Sequence, residues 1–428
     1  MNHNEALLHY VWKHKLFTPT DLSTTDGHPI EVIDPGMHNT DAGPDFFNAK
    51  IRIDDKIWAG NVEIHLRADD WKKHKHHIDK AYNSVVLHVV KFTEGETRNE
   101  KGERIPQCQL IVPEHIQNSA TYLLHNDCRV ACRHFLPMIP SIHINSFLYR
   151  LGMERLERKM NDVLKHFDRF NGSWDDIFYV VLTRNFGFGL NSDAFERLAL
   201  SLPFNCIQKH SDNLLQVEAL IFGQAGLLED TIPGDAYYQQ LQQEYAFLKN
   251  KYLLKPLDSF LFKNMRVRPQ AFPMVRLAQL AALLQQSTRL LSFVTGQEND
   301  QKLRLLFQAE PSQYWHTHYM FGKETKKSLK LLGDTSINVL LINTVAPILF
   351  TYGRKTGAEK YGERAITLLE SIKPESNSIV NEFRLAGISP KNAFDSQAII
   401  QLRKEYCDKR KCLYCRIGHA LLSKNNNE

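Results

Sequence analysis

Nowhere in its 428 residues does the sequence run to ~18 consecutive apolar side chains, so no bilayer-spanning helix is expected. Its opening, MNHNEALLHYVWKHK, lacks a basic segment followed by an apolar one, and no secretory leader is expected. With 21 glycines and 17 prolines the chain is too poor in both for a collagen-like or low-complexity protein. Cysteine is scarce as well. The seven thiols are odd in number and unevenly spaced, which speaks against a disulfide framework and for thiols or metal ligands in a reducing compartment. There is no Gly-rich phosphate loop, no GxSxG elbow and no HExxH helix. Internal repeats are missing, and the polar tail 424–428 is the sole biased segment. These absences predict a cytoplasmic protein with no membrane partner.

What is present is an ordinary globular composition, 43% hydrophobic and 24% charged. The length suggests two or three domains at ~150 residues each. A net charge of +5 permits a polyanionic partner without demanding one. Of the 19 histidines, more than half precede Asp127. The texture changes near residue 140, where Pro137 and Pro140 interrupt regular structure. We therefore expect an α+β chain: a first domain over 1–135 and a large all-α domain over 141–428. The first domain reads as helix (5–15), strand (29–34), strand (46–53), strand (57–66), helix (71–83) and strand (84–90). In the second, 3.6-residue periodicity predicts a long helix over 141–167. Further helices are expected at 174–185, 193–200, 214–222, 236–251, 275–284, 302–306, 337–352, 361–372 and 395–406.

The chemistry concentrates in the first domain. If strands 46–53 and 57–66 close through a turn at Asp54–Lys56, hairpin pairing sets Asp45 opposite His65 and Phe47 opposite Glu63. Glu63 and His65 share a strand face, being two apart. Two carboxylates converging in this way can bind one or two divalent cations through oxygen, and a bound cation can activate water for attack on a phosphodiester. In the following helix His76, Asp79 and Tyr82 recur every three residues as one polar stripe, beside His74 and His77. His88 lies alone in a strand with buried character, where local hydrogen bonding is the simpler role.

Pro44-Asp45, a strand turn and Glu63-x-His65 resemble the PD-(D/E)XK nuclease signature, and the order helix, three strands, helix, strand is similar to that superfamily's restriction-endonuclease-like core. The resemblance, which covers residues 1 to about 92, implies a metal-dependent nuclease cleaving DNA or RNA. Asp45 and Glu63 would hold Mg²⁺ or Mn²⁺, with the Ile64 carbonyl as a further ligand. Glu5 would match an accessory acid used by some members. The sequence departs from the pattern where the family's lysine is replaced by His65, leaving His65 to act as ligand or base, or Lys91 to supply the positive charge. A non-catalytic nucleic-acid-binding or scaffold protein that keeps the fold is the alternative. The chain as a whole also resembles an uncharacterised bacterial family that joins this front end to a helical back half.

A second cluster, Cys407-x4-Cys412-x2-Cys415, places three thiols within nine residues and can converge on one soft metal. Its fourth ligand would be Cys132, or its neighbour Cys128, reaching from the domain junction. His419 could instead complete a local Cys3His zinc site. Some nucleases of the superfamily just named tie distant cysteines into an iron–sulfur cluster, and this arrangement is similar in logic. Cys108 and Cys206 read as small core residues. Arg403, Lys404, Lys409, Arg410, Lys411 and Arg416 form a basic run around the cluster that is suited either to phosphate contact or to plain solvation.

Overall fold

A computed structural model describes residues 3–423 except 231, 266 and 298; the polar tail 424–428 lies outside the described residues. Strand-forming sequence is confined almost wholly to the N-terminal third. There, helix α1 (His3–Lys13) is followed by β1 (Ile30–Asp34), β2 (Met37–His38), β3 (Phe46–Ile53), β4 (Lys56–Arg67), the short helix α2 (Asp70–Lys73), β5 (Val85–Phe92), β6 (Gln107–Gln109) and helix α3 (Glu114–His125). The strands form one mixed sheet in the order β1-β3-β4-β5-β6, with β2 also pairing β3. β1, β3 and β4 are antiparallel, whereas β5 runs parallel to β4 and β6 parallel to β5.

Alternation explains the two faces of this sheet. Ala49, Ile51 and Ile53 of β3, Val62 and Ile64 of β4, and Leu87 and Val89 of β5 form one buried core with Leu7, Leu8, Val11 and Trp12 of α1 and Ile116, Ala120 and Leu123 of α3. On the other face Trp71, Tyr82, Val85 and Ile105 make a smaller cluster. Glu63, His65 and His88 fall on that second face. α3, β2 and β6 were not anticipated from periodicity, since they are short or rest on tertiary contact.

Two local departures matter for the site. The hairpin turns on two residues, Asp54 and Asp55, with Asp54 at φ 52°, so Ile53 pairs with Lys56, one position off the expected register. Between Ala49 and Phe46 the register slips again: Ala49 faces Gly60 but Phe46 faces Val62. Asn48, at φ 57°, forms this bulge. The single helix expected over 71–83 is also broken. After α2, Lys75 adopts a left-handed conformation (φ 64°) and the chain continues as 3₁₀ turns at His76–Ile78 and Lys80–Tyr82. The Asp79 carboxylate accepts from the Ala81 amide at 2.9 Å, a local bond that competes with helix continuation.

The chain divides into two compact units that are not contiguous in sequence. The first comprises Met1–Leu148, Asn377–Ser389 and Ile399–Glu428; the second comprises Tyr149–Ser376 and Pro390–Ala398. The residues after Ile399 thus group with the sheet rather than with the helices, unlike a linear split at 135–141. Within the first unit Leu413 and Leu422 enter the core beneath the sheet.

The second unit is helical. Each expected helix from 174 to 372 is found with ends moved by a few residues, and Phe204–Gln208, Leu290–Gly296 and Tyr314–Thr317 are added. Between Asp334 and Thr356 the chain is helical over 23 residues, with a π-turn at Leu341–Val345, and is apolar enough to span a bilayer by composition. Most of its apolar stretch is buried, and Ile337, Leu340, Val345 and Leu349 belong to the helical core. This is the pattern of a central core helix.

Candidate functional site

The double slip in the hairpin decides the site. Asp45 stands beside Glu63 rather than opposite His65. The Asp45 amide donates to Glu63 Oε2 at 3.1 Å, and the Ile64 amide donates to Asp45 Oδ2 at 2.9 Å. Each carboxylate is thus held by the backbone next to the other. Glu63 is buried and its Oε1 faces His76 Nε2 at 3.3 Å and His65 Nε2 at 3.4 Å. Asp45 Oδ2 lies 3.5 Å from His9 Nε2, and His9 Nδ1 in turn lies 3.4 Å from His38 Nε2.

Behind these groups runs a row of side chains across three strands, because Glu63 pairs with His88 and His88 with Gln107 in the parallel registers. His65 Nδ1 meets His88 Nε2 at 2.9 Å, His88 Nδ1 meets Thr97 Oγ1 at 2.7 Å, and Gln107 Nε2 donates to Thr97 Oγ1 at 3.1 Å. On its outer side His65 Nε2 contacts His74 Nδ1 at 3.1 Å. The ligand nitrogens of His65, His74 and His76 lie within 4.8 Å of one another.

The electrostatics are unusual for a resting protein. Burial pushes both Asp45 and Glu63 well above the ordinary carboxylate range, and the Glu63 charge raises Asp45 further. Glu5, itself raised by burial, adds a third negative charge that acts on both. Among the described residues no lysine or arginine pairs with either carboxylate. The histidines are kept neutral. Burial, aided by neighbouring imidazoles, lowers His65 to about 2, His88 to about 3 and His9 to about 4. His76 is lowered by burial too, against the opposing pull of Asp45 and Asp79.

The structure thus brings together Asp45, Glu63, His65, Glu5, His76 and Tyr82. The Tyr82 ring stacks on His76 at 3.8 Å, and burial together with the two carboxylates raises its hydroxyl to about 12. Asp79 is exposed and serves as a cap. Lys91 is not among the groups acting on either carboxylate, and its amine lies over the Phe92 ring at 5.7 Å. The positive charge expected of it is therefore missing. His9, Thr97 and Gln107 escaped the sequence reading. The Glu5–His9 spacing of four, which sets both on one face of α1, was the signal for the first. For Thr97 and Gln107 no local signal exists.

This donor set fits a divalent cation. Buried carboxylates without a cationic partner are costly unless protonated or neutralised by an ion. His9 Nε2 is buried with no hydrogen-bond partner although it faces Asp45. If His65 donates Nδ1–H to His88, its Nε2 lone pair is presented toward Glu63 and His74 Nδ1, and Thr97 accepts the end of the chain. That is the usual support of a ligating imidazole. Imidazole and carboxylate together favour manganese, iron or zinc over magnesium.

No curated protein and no solved structure matches the chain. Residues 5–378 match the family described as "Protein of unknown function (DUF2851)", and the chain belongs to that family.

Proposed function

We propose that this protein is a divalent-metal-dependent phosphodiesterase acting on nucleic acid, with Asp45 and Glu63 as the principal ligands and His65 completing the set. The observation that carries the reading is the pair of buried carboxylates. Glu63 accepts from the Asp45 amide and Asp45 from the amide next to Glu63, neutral imidazoles stand around them, and among the described residues neither has a lysine or arginine partner. The element order supports it: a helix, three antiparallel strands, a crossover and a parallel fourth strand agree with the PD-(D/E)XK core. When bound, the cation would polarise a phosphoryl oxygen and lower the pKa of water. The chain's residues would hold that ion and manage protons. Glu5, Asp45 and Glu63 supply negative charge, while His76, held by stacking on Tyr82, presents Nε2 at the carboxylates as a neutral proton acceptor. His65 cannot replace the family's lysine as a fixed charge, because burial and the imidazoles around it keep it neutral.

Purified protein with Mn²⁺ is expected to nick or degrade at least one of single-stranded or duplex DNA or RNA. Asp45→Asn and Glu63→Gln should reduce cleavage by more than the roughly 10–100-fold typical of outer-shell changes. The same variants report on the site without a substrate. Mn²⁺ should raise the Tm of wild type but not of Asp45→Asn, which in chelator should melt above wild type because an uncompensated buried charge is gone. A full panel left intact, with no Mn²⁺ shift in Tm, sinks the proposal. Intact substrates with a clear Mn²⁺ shift would favour the non-catalytic reading, which His65 in place of the family's lysine supports.

A further inference from the structure

Four of the seven cysteines meet in the first unit, far from the carboxylates in sequence and independent of the activity proposed for them. Cys132 follows α3. Cys407 ends a π-turn, Cys412 opens a 3₁₀ turn and Cys415 precedes the final helix, Arg416–Leu422. All four line one small cavity, about 20 Å³, roughly the space of one water-sized sphere, with Leu123 and Ile417 in its wall. None of the seven cysteines is in a disulfide. Cys128, the neighbour weighed as an alternative, does not line the cavity, and its amide donates to Asn126. His419 turns elsewhere: its Nδ1 meets Tyr10 Oη at 2.8 Å and its ring lies 4.4 Å from that of His14.

The loop that carries three of these thiols is pre-shaped. Backbone bonds run from Asp408 N to Arg403 O, from Lys411 N to Tyr406 O and from Cys415 N to Cys412 O. Arg410 takes a left-handed conformation between them (φ 50°). Gly418 lets the final helix close on the loop, since a Cβ there would come within 2.0 Å of the Cys412 carbonyl. Two arginines, Arg129 and Arg410, line the same cavity. A cluster of four neutral thiols has no use for two guanidinium groups. Four thiolates on a divalent ion carry a net charge of −2, which the pair would balance.

We propose that Cys132, Cys407, Cys412 and Cys415 bind one soft metal centre, a zinc ion or an iron–sulfur cluster, that fastens the C-terminal segment to α3 and the turn after it. Both share the four-thiolate donor set, and both are held without help from oxygen ligands. As thiolates without a cation, four such groups crowded about one small space would repel one another. A cation removes that mutual penalty. Closing Cys132 onto Cys407 spans most of the chain, so the link also restricts the unfolded state.

The test is the metal content of the full chain, purified without oxygen or chelator. We expect about one zinc, or about four irons with about four acid-labile sulfides, per chain. The first outcome assigns zinc and the second a cluster with visible absorption. Cys132→Ser and Cys412→Ser should each lower the content at least about tenfold, while Cys128→Ser, Cys108→Ser and His419→Ala keep it. Should the serine variants fail to fold, Co²⁺ added to the reduced, metal-free wild type gives a second readout through thiolate-to-cobalt absorption, and its appearance supports the centre. Metal below about a tenth of an equivalent with no such absorption overturns the proposal. Full metal retention in both Cys132→Ser and Cys412→Ser overturns it as well.

Discussion

Glu218 shows what one buried carboxylate does to this protein when no cation is at hand. It sits on the helix Leu214–Gln224 of the second unit, buried, and accepts from Tyr237 Oη at 2.7 Å, while its Oε1 has no partner. Burial raises its pKa to about 7 against the opposing pull of the Tyr237 hydrogen bond and of the Ser312 and Trp315 polar groups beside it. The folded chain therefore keeps a proton that the unfolded chain releases above the ordinary carboxylate range, so stability falls as pH rises from about 4.5 to about 7. Glu218→Gln should flatten this slope and stabilise the second unit by about 1–3 kcal/mol above pH 7. Urea unfolding of wild type and variant at pH 5 and pH 8 measures it. A gain of equal size at both pH values would contradict the assignment. Asp45 and Glu63 share the physics but not the setting: they stand among imidazole nitrogens, Glu218 among a phenol, a hydroxyl and an indole.

Among the elements, the bulge in β3 has the largest consequence. Its left-handed Asn48 completes the shift begun at the two-residue turn, moving Asp45 from the level of Ile64 to that of Glu63, and the Asn48 amide donates to Asn61 Oδ1 at 3.2 Å across the hairpin. Asparagine and glycine tolerate that conformation, whereas a β-branched residue does not. Asn48→Gly should change stability by less than ~1 kcal/mol and preserve the Mn²⁺ shift in Tm, whereas Asn48→Val should cost about 1–3 kcal/mol and weaken or abolish it. Thermal melts with and without Mn²⁺ separate the two effects. An unchanged Mn²⁺ response in Asn48→Val would mean that the bulge does not set the ligand geometry. The broken crossover after α2 works in the same direction, since a continuous helix would not bring both His74 and His76 against His65.

For the molecule as a whole, the last residues are part of the first unit's core. Leu413 and Leu422 pack in the cluster that holds Val11, Ile64 and Ile116. Tyr10 of α1, the helix that also carries Glu5 and His9, is hydrogen-bonded to His419. Deleting residues 407–428 should therefore destabilise the first unit by several kcal/mol, at about 2–5 kcal/mol per buried leucine. Hydrogen exchange would show it as lost protection in β4 and β5. Undiminished protection there would exclude the C-terminal segment from that core. The basic run is also partly internal. Arg403 is buried between Glu382 and Asp408, at 3.1 and 2.6 Å, and Lys409 pairs with Glu405. Charge repeated in sequence is thus not the same as charge available to a polyanion.

The sequence by itself determined the α+β class, the strands of the hairpin, most of the longer helices after residue 170 and the residue types of both clusters. Each of these rests on short-range periodicity or spacing: alternation buries Ile51 and Ile64, and a period near 3.6 buries Leu7 and Val11. Tertiary structure decided the rest. Asp45 meets Glu63 through a bulge that has no pattern of its own. His76 is buried and the exposed His74 still reaches His65 because Lys75 breaks a helix that periodicity alone would have continued. Cys132, and not His419, faces the thiol loop because α1 claims His419 through Tyr10 and His14. Register, strand breaks and partners hundreds of residues away depend on which contacts win across the fold, and local sequence carries no record of that competition.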